Sequence, residues 1–326
     1  MHPKITIIIP FFQQTKGLLR ACVESALGQR GIENYEVIVV NDGSPISPHD
    51  ELEDLIPSHV GNLRVVEQEN RGPGAARNAG LDRCSDDTEY VAFLDSDDEW
   101  MKCHLANALF ALQLGYDFYF SDFYFPAFKG KTAFERAGKI PLTQHNCISV
   151  ERELYEYRGE MLDQILVTGN VIGTSNVVYR FAKYRQLRFR EEFFNGQDYL
   201  FWLDFSRLGG SFVFSAKKEC NCGTGINIYS GATWGTERLL GRLRNELRVW
   251  KFVEKEFQLR GDRRRANRAR IQKIQESIVR DLLHRIVKRE RIKVDLLIDL
   301  MRLDPMLPFL AAPISLKIIR DRFRRH

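Results

Sequence analysis

An α/β fold, with a mostly parallel sheet flanked by helices and a basic helical C-terminal extension, follows from three observations. Short apolar, β-branched runs alternate with helix-periodic segments over the first hundred residues. Polar, acid-bearing motifs stand directly after those runs. From about residue 236 the chain turns basic and helix-periodic to its end.

The elements read in order. Residues 5–10 are a continuous apolar run, as a strand buried on both faces requires. Residues 15–29 place Leu18, Leu19, Cys22, Val23, Ala26 and Leu27 on one helical face. A second buried strand spans 35–40 and ends in Asn41-Asp42-Gly43-Ser44. Residues 50–59 read as a helix, 63–67 as a third strand, and 74–83 as a helix entered through Gly72-Pro73-Gly74. A fourth strand, 90–94, ends in Asp95-Ser96-Asp97-Asp98. Strand and helix at this spacing mean βαβ units, whose ligands bind beyond the carboxyl ends of the strands.

The middle is less regular. A helix is expected over 104–114, an aromatic strand over 118–125, a loop over 126–150 and a helix over 154–166. A short strand at 177–179 and a helix at 197–208 follow. Later, Leu239, Leu243, Leu247, Trp250 and Val253 recur at helical steps, as do Ile271, Ile274, Ile278, Leu282 and Ile286. The expected organisation is a domain over 1–235, in two halves (1–100 and 101–235), and an extension over 236–326. The composition alone puts its boundary near Gly261.

Composition excludes several classes. With 44% hydrophobic and 28% charged residues, the 326-residue chain is neither disordered nor fibrous. Six cysteines are too few for a disulfide scaffold. Cys220 and Cys222 are spaced C-x-C, but no second Cys/His pair stands near them, so reduced core thiols are expected rather than zinc. His104 and His145 are expected in packing or solvent contacts. The apolar run at 306–316 is broken by Pro308 and Pro313, and no run reaches the ~20 residues a membrane span needs.

Net charge is +5 but uneven: residues 261–326 hold 18 Lys+Arg against 8 Asp+Glu, while the rest is mildly acidic. The stretch 314–325 reads as a basic amphipathic helix suited to an anionic membrane surface. No nucleic-acid recognition motif accompanies the charge, so no nucleic acid is expected as partner.

Three motifs carry chemistry. Three carboxylates in Asp95-Ser96-Asp97-Asp98 repel one another unless a cation compensates them, and hard oxygen ligands suit Mg²⁺ or Mn²⁺. Asp42, beside a tight turn, is placed to accept a hydrogen bond from a nucleobase or ribose. In Asn70-Arg71-Gly72-Pro73-Gly74-Ala75-Ala76-Arg77-Asn78-Ala79-Gly80, small residues let the backbone approach a ligand at a helix N-terminus, and also let the helix pack closely on the sheet.

Together with Ile8-Ile9-Pro10-Phe11-Phe12 and Phe93-Leu94 before the acidic turn, these motifs resemble, in order and spacing, the N-terminal signature of the family-two glycosyltransferases of GT-A fold. The resemblance covers residues 4–100 well, reaches loosely to about 230 and fades beyond. It implies a nucleotide-sugar donor, a divalent metal, and inversion at the anomeric carbon. On the matching positions, Asp42 would contact the base, Pro10 and Phe12 would shape its pocket, and Gly74, Arg77 and Ser96 would line the donor. Asp95 would hold the ribose or help with metal, and Asp97 would be the main metal ligand. Phe12-Gln13 and Pro45-Ile46 depart from the family's usual residues and loosen the base contacts.

The resemblance also implies a general base opening a helix in the second half. Asn195-Gly196-Gln197-Asp198 fits that pattern, with Gln197 in the usual Glu place, and makes Asp198 the candidate. A helix N-terminus alone would keep its carboxylate ionised, so burial or substrate must tune it. Thr168-Gly169-Asn170 and Thr174-Ser175-Asn176 resemble the acceptor-side segment. The stretch 229–234 suits a mobile lid, with Trp234 able to stack on a sugar or to pack on helices.

The expected function is therefore inverting transfer of a sugar from a UDP-linked donor to a glycan or lipid-linked glycan in bacterial surface polysaccharide synthesis. The expected location is cytoplasmic, peripheral on the inner membrane face; oligomeric state is left open. No Gln-x-x-Arg-Trp motif of processive synthases occurs. A sugar-phosphate nucleotidyltransferase would need a Gly-rich basic loop after the first strand, which 10–17 lacks. A non-catalytic glycan-binding scaffold would not need Asp95, Asp97 and Asp198 intact.

Overall fold

The computed structural model describes residues 3–225 and 231–323, with side chains through residue 316. The chain divides into two compact units, Met1–Ile226 and Asn227–His326. Gly261 lies inside the second unit, where it opens a helix.

The first unit begins with three βα steps. Strands β1 (Lys4–Phe11) and β2 (Tyr35–Asp42) are joined by helix α1 (Leu18–Leu27). The single helix expected at 50–59 is two one-turn pieces, α2 (Pro48–Glu51) and α3 (Leu55–Ser58), leading to β3 (Leu63–Gln68). Ser47 caps the first, with Pro48 at its opening position. Helix α4 (Pro73–Leu81) then returns to β4 (Thr88–Phe93). A two-residue strand, β5 (Glu99–Trp100), follows the acidic turn, then α5 (His104–Gln113) and β6 (Phe118–Tyr124).

The segment expected as loop holds a five-residue helix, α6 (Ala133–Ala137), and strand β7 (Asn146–Ser149). Thr132 and Glu135 form a reciprocal capping box, a signal legible in the sequence. The helix expected at 154–166 is corrected. Leu154–Glu156 is strand β8, and only Met161–Asp163 (α7), continuing into a π turn over Gln164–Gly169, is helical. Gly159 at φ 112° breaks any helix, and Tyr155 stacks 5.4 Å from Phe214 across the ladder. Strand β9 (Val177–Tyr179), helix α8 (Gln197–Arg207) and strand β10 (Phe212–Asn221) complete the unit.

The strands form one mixed sheet in the order β3-β2-β1-β4-β9-β6-β10-β8-β7, with β5 paired to β10. The six long strands β3, β2, β1, β4, β6 and β10 run the same way, with β9 inserted antiparallel between β4 and β6. Their carboxyl ends thus share one edge. Ile5, Ile7, Ile9 and Phe11 bury one face of β1, each side chain stabilising by roughly 1.5–3 kcal/mol. On the other face α4 packs so closely that a Cβ on Gly80 would lie 2.4 Å from Ile8 Cγ2.

The second unit is helical: α9 (Glu237–Glu256), α10 (Gly261–Lys288), α11 (Val294–Leu303) and α12 (Leu307–Phe323). Leu240, Leu247, Ile278 and Leu300 form its buried centre. Helix α12 runs through Pro313, although the prolines predicted a break. Pro308 sits in the first turn, where a missing N–H is harmless. No helix among the described residues is long and apolar enough to cross a membrane. The basic amphipathic stretch expected at 314–325 lies mostly outside the described side chains.

Candidate active site

The carboxyl ends of β1, β2 and β4 are tied to one another before any ligand is considered. The Gln13 amide N–H donates to Ser44 Oγ (3.1 Å), and Ser44 Oγ donates back to the Gln13 carbonyl (3.2 Å). The Gln13 side chain donates to Ser96 Oγ (3.1 Å). A residue read only as a departure from the family pattern is therefore the tie between three loops.

Asp42 is 2% exposed and meets protein on both oxygens. It accepts from Gln68 Nε2 (2.6 Å), the Arg71 N–H (2.8 Å) and the Gly72 N–H (2.8 Å). Asp42 thereby holds the turn that starts α4. Gly74 likewise serves close packing, since a Cβ there would lie 3.2 Å from Gln197 Cγ and 3.6 Å from Phe189 Cβ. The beginnings of α4 and α8 are thus brought together. Pro10 is buried in the ladder opposite Val40, and Phe12 is partly buried beyond it.

The acidic turn after β4 is held from two sides. Ser175 Oγ accepts from the Asp95 N–H (2.9 Å) and donates to Asp98 Oδ2 (2.5 Å), while its carbonyl accepts from Trp100 Nε1 (2.5 Å). Ser175 and Asn176 are buried, and Ser175 braces the turn. From the other side, Gly223 N–H donates to Asp98 Oδ1 and Gly225 N–H to Asp97 Oδ2, both at 2.8 Å. Sequence reading missed these glycines; their closeness to Asp97 is set by β10, which it also missed.

Asp95 and Asp97 are half-buried and Ser96 buried. Asp97 is raised above the ordinary carboxyl range, first by burial and then by the Asp95 charge. Asp98 is pushed up to about 7, by burial first and then by its two acidic neighbours. The carboxyls of Asp97 and Asp98 are raised, so the turn holds more negative charge than its surroundings balance; crowded oxygen donors of this kind fit a hard divalent cation at Asp97 and Asp95.

One cation is built in. Arg77, 4% exposed, reaches from α4 to Asp95 Oδ1 (2.5 Å) and lies 5.3 Å over the Phe189 ring. Asn78 fixes the same segment: its side chain donates to the Phe189 carbonyl and accepts from the Phe189 N–H, each at 2.8 Å.

Asp198 opens α8 behind Gly196, which sits at φ 77°. Its Oδ1 accepts from the Tyr199 N–H (2.8 Å). Burial raises its pKa; that hydrogen bond and the Arg77 charge oppose the rise, and Asp95 adds to it. The helix end alone predicts an acid held ionised, but desolvation outweighs it. Arg77 thus ties α4 to Asp95, and the start of α4 meets the start of α8 where Gly74 faces Gln197. The acidic turn and Asp198 are therefore carried on elements that adjoin through α4.

Of the remaining expectations, His104 packs as predicted, fully buried against Trp100 and bonded to Glu219 (2.9 Å). His145 packs on Tyr157 and Phe214. Residues 229 and 230 of the expected lid lie outside the described residues, and Trp234 is 48% exposed.

The profile described as "Glycosyl transferase family 2" matches residues 6–217, most of the chain. The protein belongs to glycosyl transferase family 2. Among the family's curated proteins, it is 30% identical to the succinoglycan biosynthesis protein ExoW of Rhizobium meliloti over 77% of this chain and 82% of that one. It is 38% identical to the minor teichoic acid biosynthesis protein GgaA of Bacillus subtilis over 35% of this chain and 24% of that one. Two glycosyltransferase structures share its fold. Residues 1–349 of S. aureus TarS superpose with a TM-score of 0.53 at 19% identity, over 93% of this chain and 81% of that one. The mannosyltransferase PcManGT of Pyrobaculum calidifontis superposes with a TM-score of 0.53 at 12% identity, over 97% and 85%. The GT-A architecture expected from the four motifs is thus the architecture found.

Proposed function

We propose that this family-two glycosyltransferase moves a sugar, with inversion, from a UDP-linked donor to a hydroxyl of a glycan or lipid-linked glycan in bacterial surface polysaccharide assembly. The observation that supports the reading is the α4 link between the two acidic elements: Arg77 pairs with Asp95 at 2.5 Å, and Gly74 meets Gln197 beside Asp198. TarS has been solved with UDP-GlcNAc, and PcManGT with GDP-Man and Mn²⁺, which supports a nucleotide-sugar donor.

In this reading Asp97 and Asp95 hold Mg²⁺ or Mn²⁺, which when bound neutralises charge growing on the departing diphosphate. Arg77 keeps Asp95 oriented. Asp42, through Arg71 and Gly72, fixes the turn beside the nucleotide, and Pro10 and Phe12 shape its wall. Asp198 takes the proton of the acceptor hydroxyl as that oxygen attacks the anomeric carbon. Its raised pKa brings it nearer neutrality, where a general base works best.

The test is a panel of nucleotide sugars assayed for hydrolysis and transfer with Mn²⁺. Asp97→Ala should abolish metal-dependent donor binding by calorimetry. Asp198→Asn should keep donor binding and lose transfer by about 10²–10⁴-fold; full turnover would remove Asp198 from the role.

We also propose that the second unit touches an anionic membrane surface. It carries the chain's excess of arginine, and Val287 and Phe309 are 78% and 74% exposed. Phe309→Glu should reduce flotation with anionic liposomes, and equal flotation would overturn the contact.

A further inference from the structure

Behind the Asp97 turn, the end of β10 delivers two thiols to the acid that the transfer chemistry leaves over. A carboxylate oxygen of Asp98, Cys220 Sγ and Cys222 Sγ all lie within 4.8 Å of one another. Asp98 is 7% exposed, Cys220 is fully buried and Cys222 is partly buried. The C-x-C spacing places both thiols on one side of an extended strand. Antiparallel pairing of Cys220 with Trp100 and of Asn221 with Glu99 holds that strand against the segment just after Asp98. The Gly223 N–H bond to Asp98 closes the same arrangement from the other end. A third thiol, Cys22 of α1, donates to the Asp95 carbonyl at 3.4 Å beside this cluster.

We propose that Asp98, Cys220 and Cys222 form a second cation site, for a thiophilic divalent ion such as Zn²⁺, separate from the hard-cation position at Asp95 and Asp97. The donor chemistry separates the two: thiolates select zinc, whereas carboxylates alone suit Mg²⁺ or Mn²⁺. With Zn–S bonds of about 2.3 Å and Zn–O bonds of about 2.0–2.2 Å, tetrahedral ligand atoms stand roughly 3.5–3.8 Å apart. From separations of up to 4.8 Å, the ligand atoms reach that by closing in by about 1 Å. As the ion enters, each thiol releases its proton to solvent, its sulfur lone pair forms the bond to zinc, and the metal stays divalent. Three anionic ligands then surround a doubly positive ion, and the acidic turn is fastened to β10 through Asp98. The C-x-C pair did not predict this, because its third ligand lies 122 positions before Cys220.

The test uses the whole, reduced protein with excess Mg²⁺ on the hard position, and Cd²⁺ as the spectroscopic probe. One equivalent of Cd²⁺ should give an ultraviolet thiolate-to-cadmium charge-transfer band. The band should vanish in Cys220→Ser/Cys222→Ser and persist in Asp97→Ala. Asp98→Asn should weaken Zn²⁺ binding by at least roughly tenfold, the lower bound seen for lesser changes around metal ligands. Zn²⁺ should raise the unfolding temperature of the wild type. No band in the wild type, a band surviving in the double variant, or one lost in Asp97→Ala overturns the site. If the double variant does not fold, zinc-edge X-ray absorption of the wild type decides: two sulfur ligands support the site and none overturns it. These readouts are independent of sugar transfer.

Discussion

Gly223→Ala probes the acidic turn through geometry alone. Gly223 has no positive φ, so alanine's backbone preference is not at issue. The obstacle is space: an added Cβ would lie 1.8 Å from the Asp97 carbonyl oxygen. Real Cβ atoms essentially never come within 3.0 Å of such a neighbour, so one backbone must retreat by more than an ångström. Neither atom is the far end of a flexible side chain. The retreat also pulls on the two 2.8 Å bonds from Gly223 to Asp98 and from Gly225 to Asp97. A misplacement of about 1 Å at reacting groups costs ~10²-fold, or about 2.7 kcal/mol of transition-state stabilisation. Overpacking costs about 1–3 kcal/mol of stability. The expected outcome is a folded enzyme, by circular dichroism and thermal unfolding, whose kcat/KM for donor hydrolysis and transfer falls about a hundredfold. A variant within roughly threefold of wild type would refute the reasoning. Either the Asp97 turn would then lie outside the reacting geometry, or its contact with 223–225 would not hold it in place.

Two further perturbations test neighbouring parts. Arg77→Met removes the charge that lowers the Asp198 pKa as well as the partner of Asp95. The base must be ionised to work, so activity falls as pH drops through its pKa. The acid limb of kcat/KM should therefore move to higher pH in the variant, and an unmoved limb would break the link between Arg77 and Asp198. Gly80→Ala improves helix propensity by about 1 kcal/mol, but its Cβ would meet Ile8 Cγ2 at 2.4 Å. The clash should dominate and lower the urea midpoint, with overpacking worth about 1–3 kcal/mol. A raised midpoint would show that α4 can lift from β1 freely.

The site is an example of local rules overridden by fixed surroundings. Asp198 has the sequence position of a helix-opening acid, and a helix N-terminus favours its charge. Burial raises its pKa nonetheless. Asp42 shows the converse: a conspicuous acid at a strand end accepts from three protein donors, which tie it to the Arg71–Gly72 turn. In both cases, residue type and spacing locate the group, while its neighbours from other elements decide its state.

Sequence alone determined the strands and helices of the first hundred residues, because their signals are local. The strands β1, β2 and β4 are buried on both faces and therefore read as mostly apolar, β-branched runs, with acids at the ends of β2 and β4. Helix α8 and its opening Asp198 were legible for the same reason. Strands β8 and β10 were not, since their pairing partners lie far along the chain and β10 carries register shifts at Ser215–Lys218 and Lys218–Cys220 that spoil its alternation. Only tertiary structure could set Ser175, Gly223 and Gly225 around the acidic turn, or bring Asp98 to two thiols. Those relations depend on how non-local strands register, and a hydrogen bond or ligand set across such a distance leaves no periodic trace in the amino-acid order.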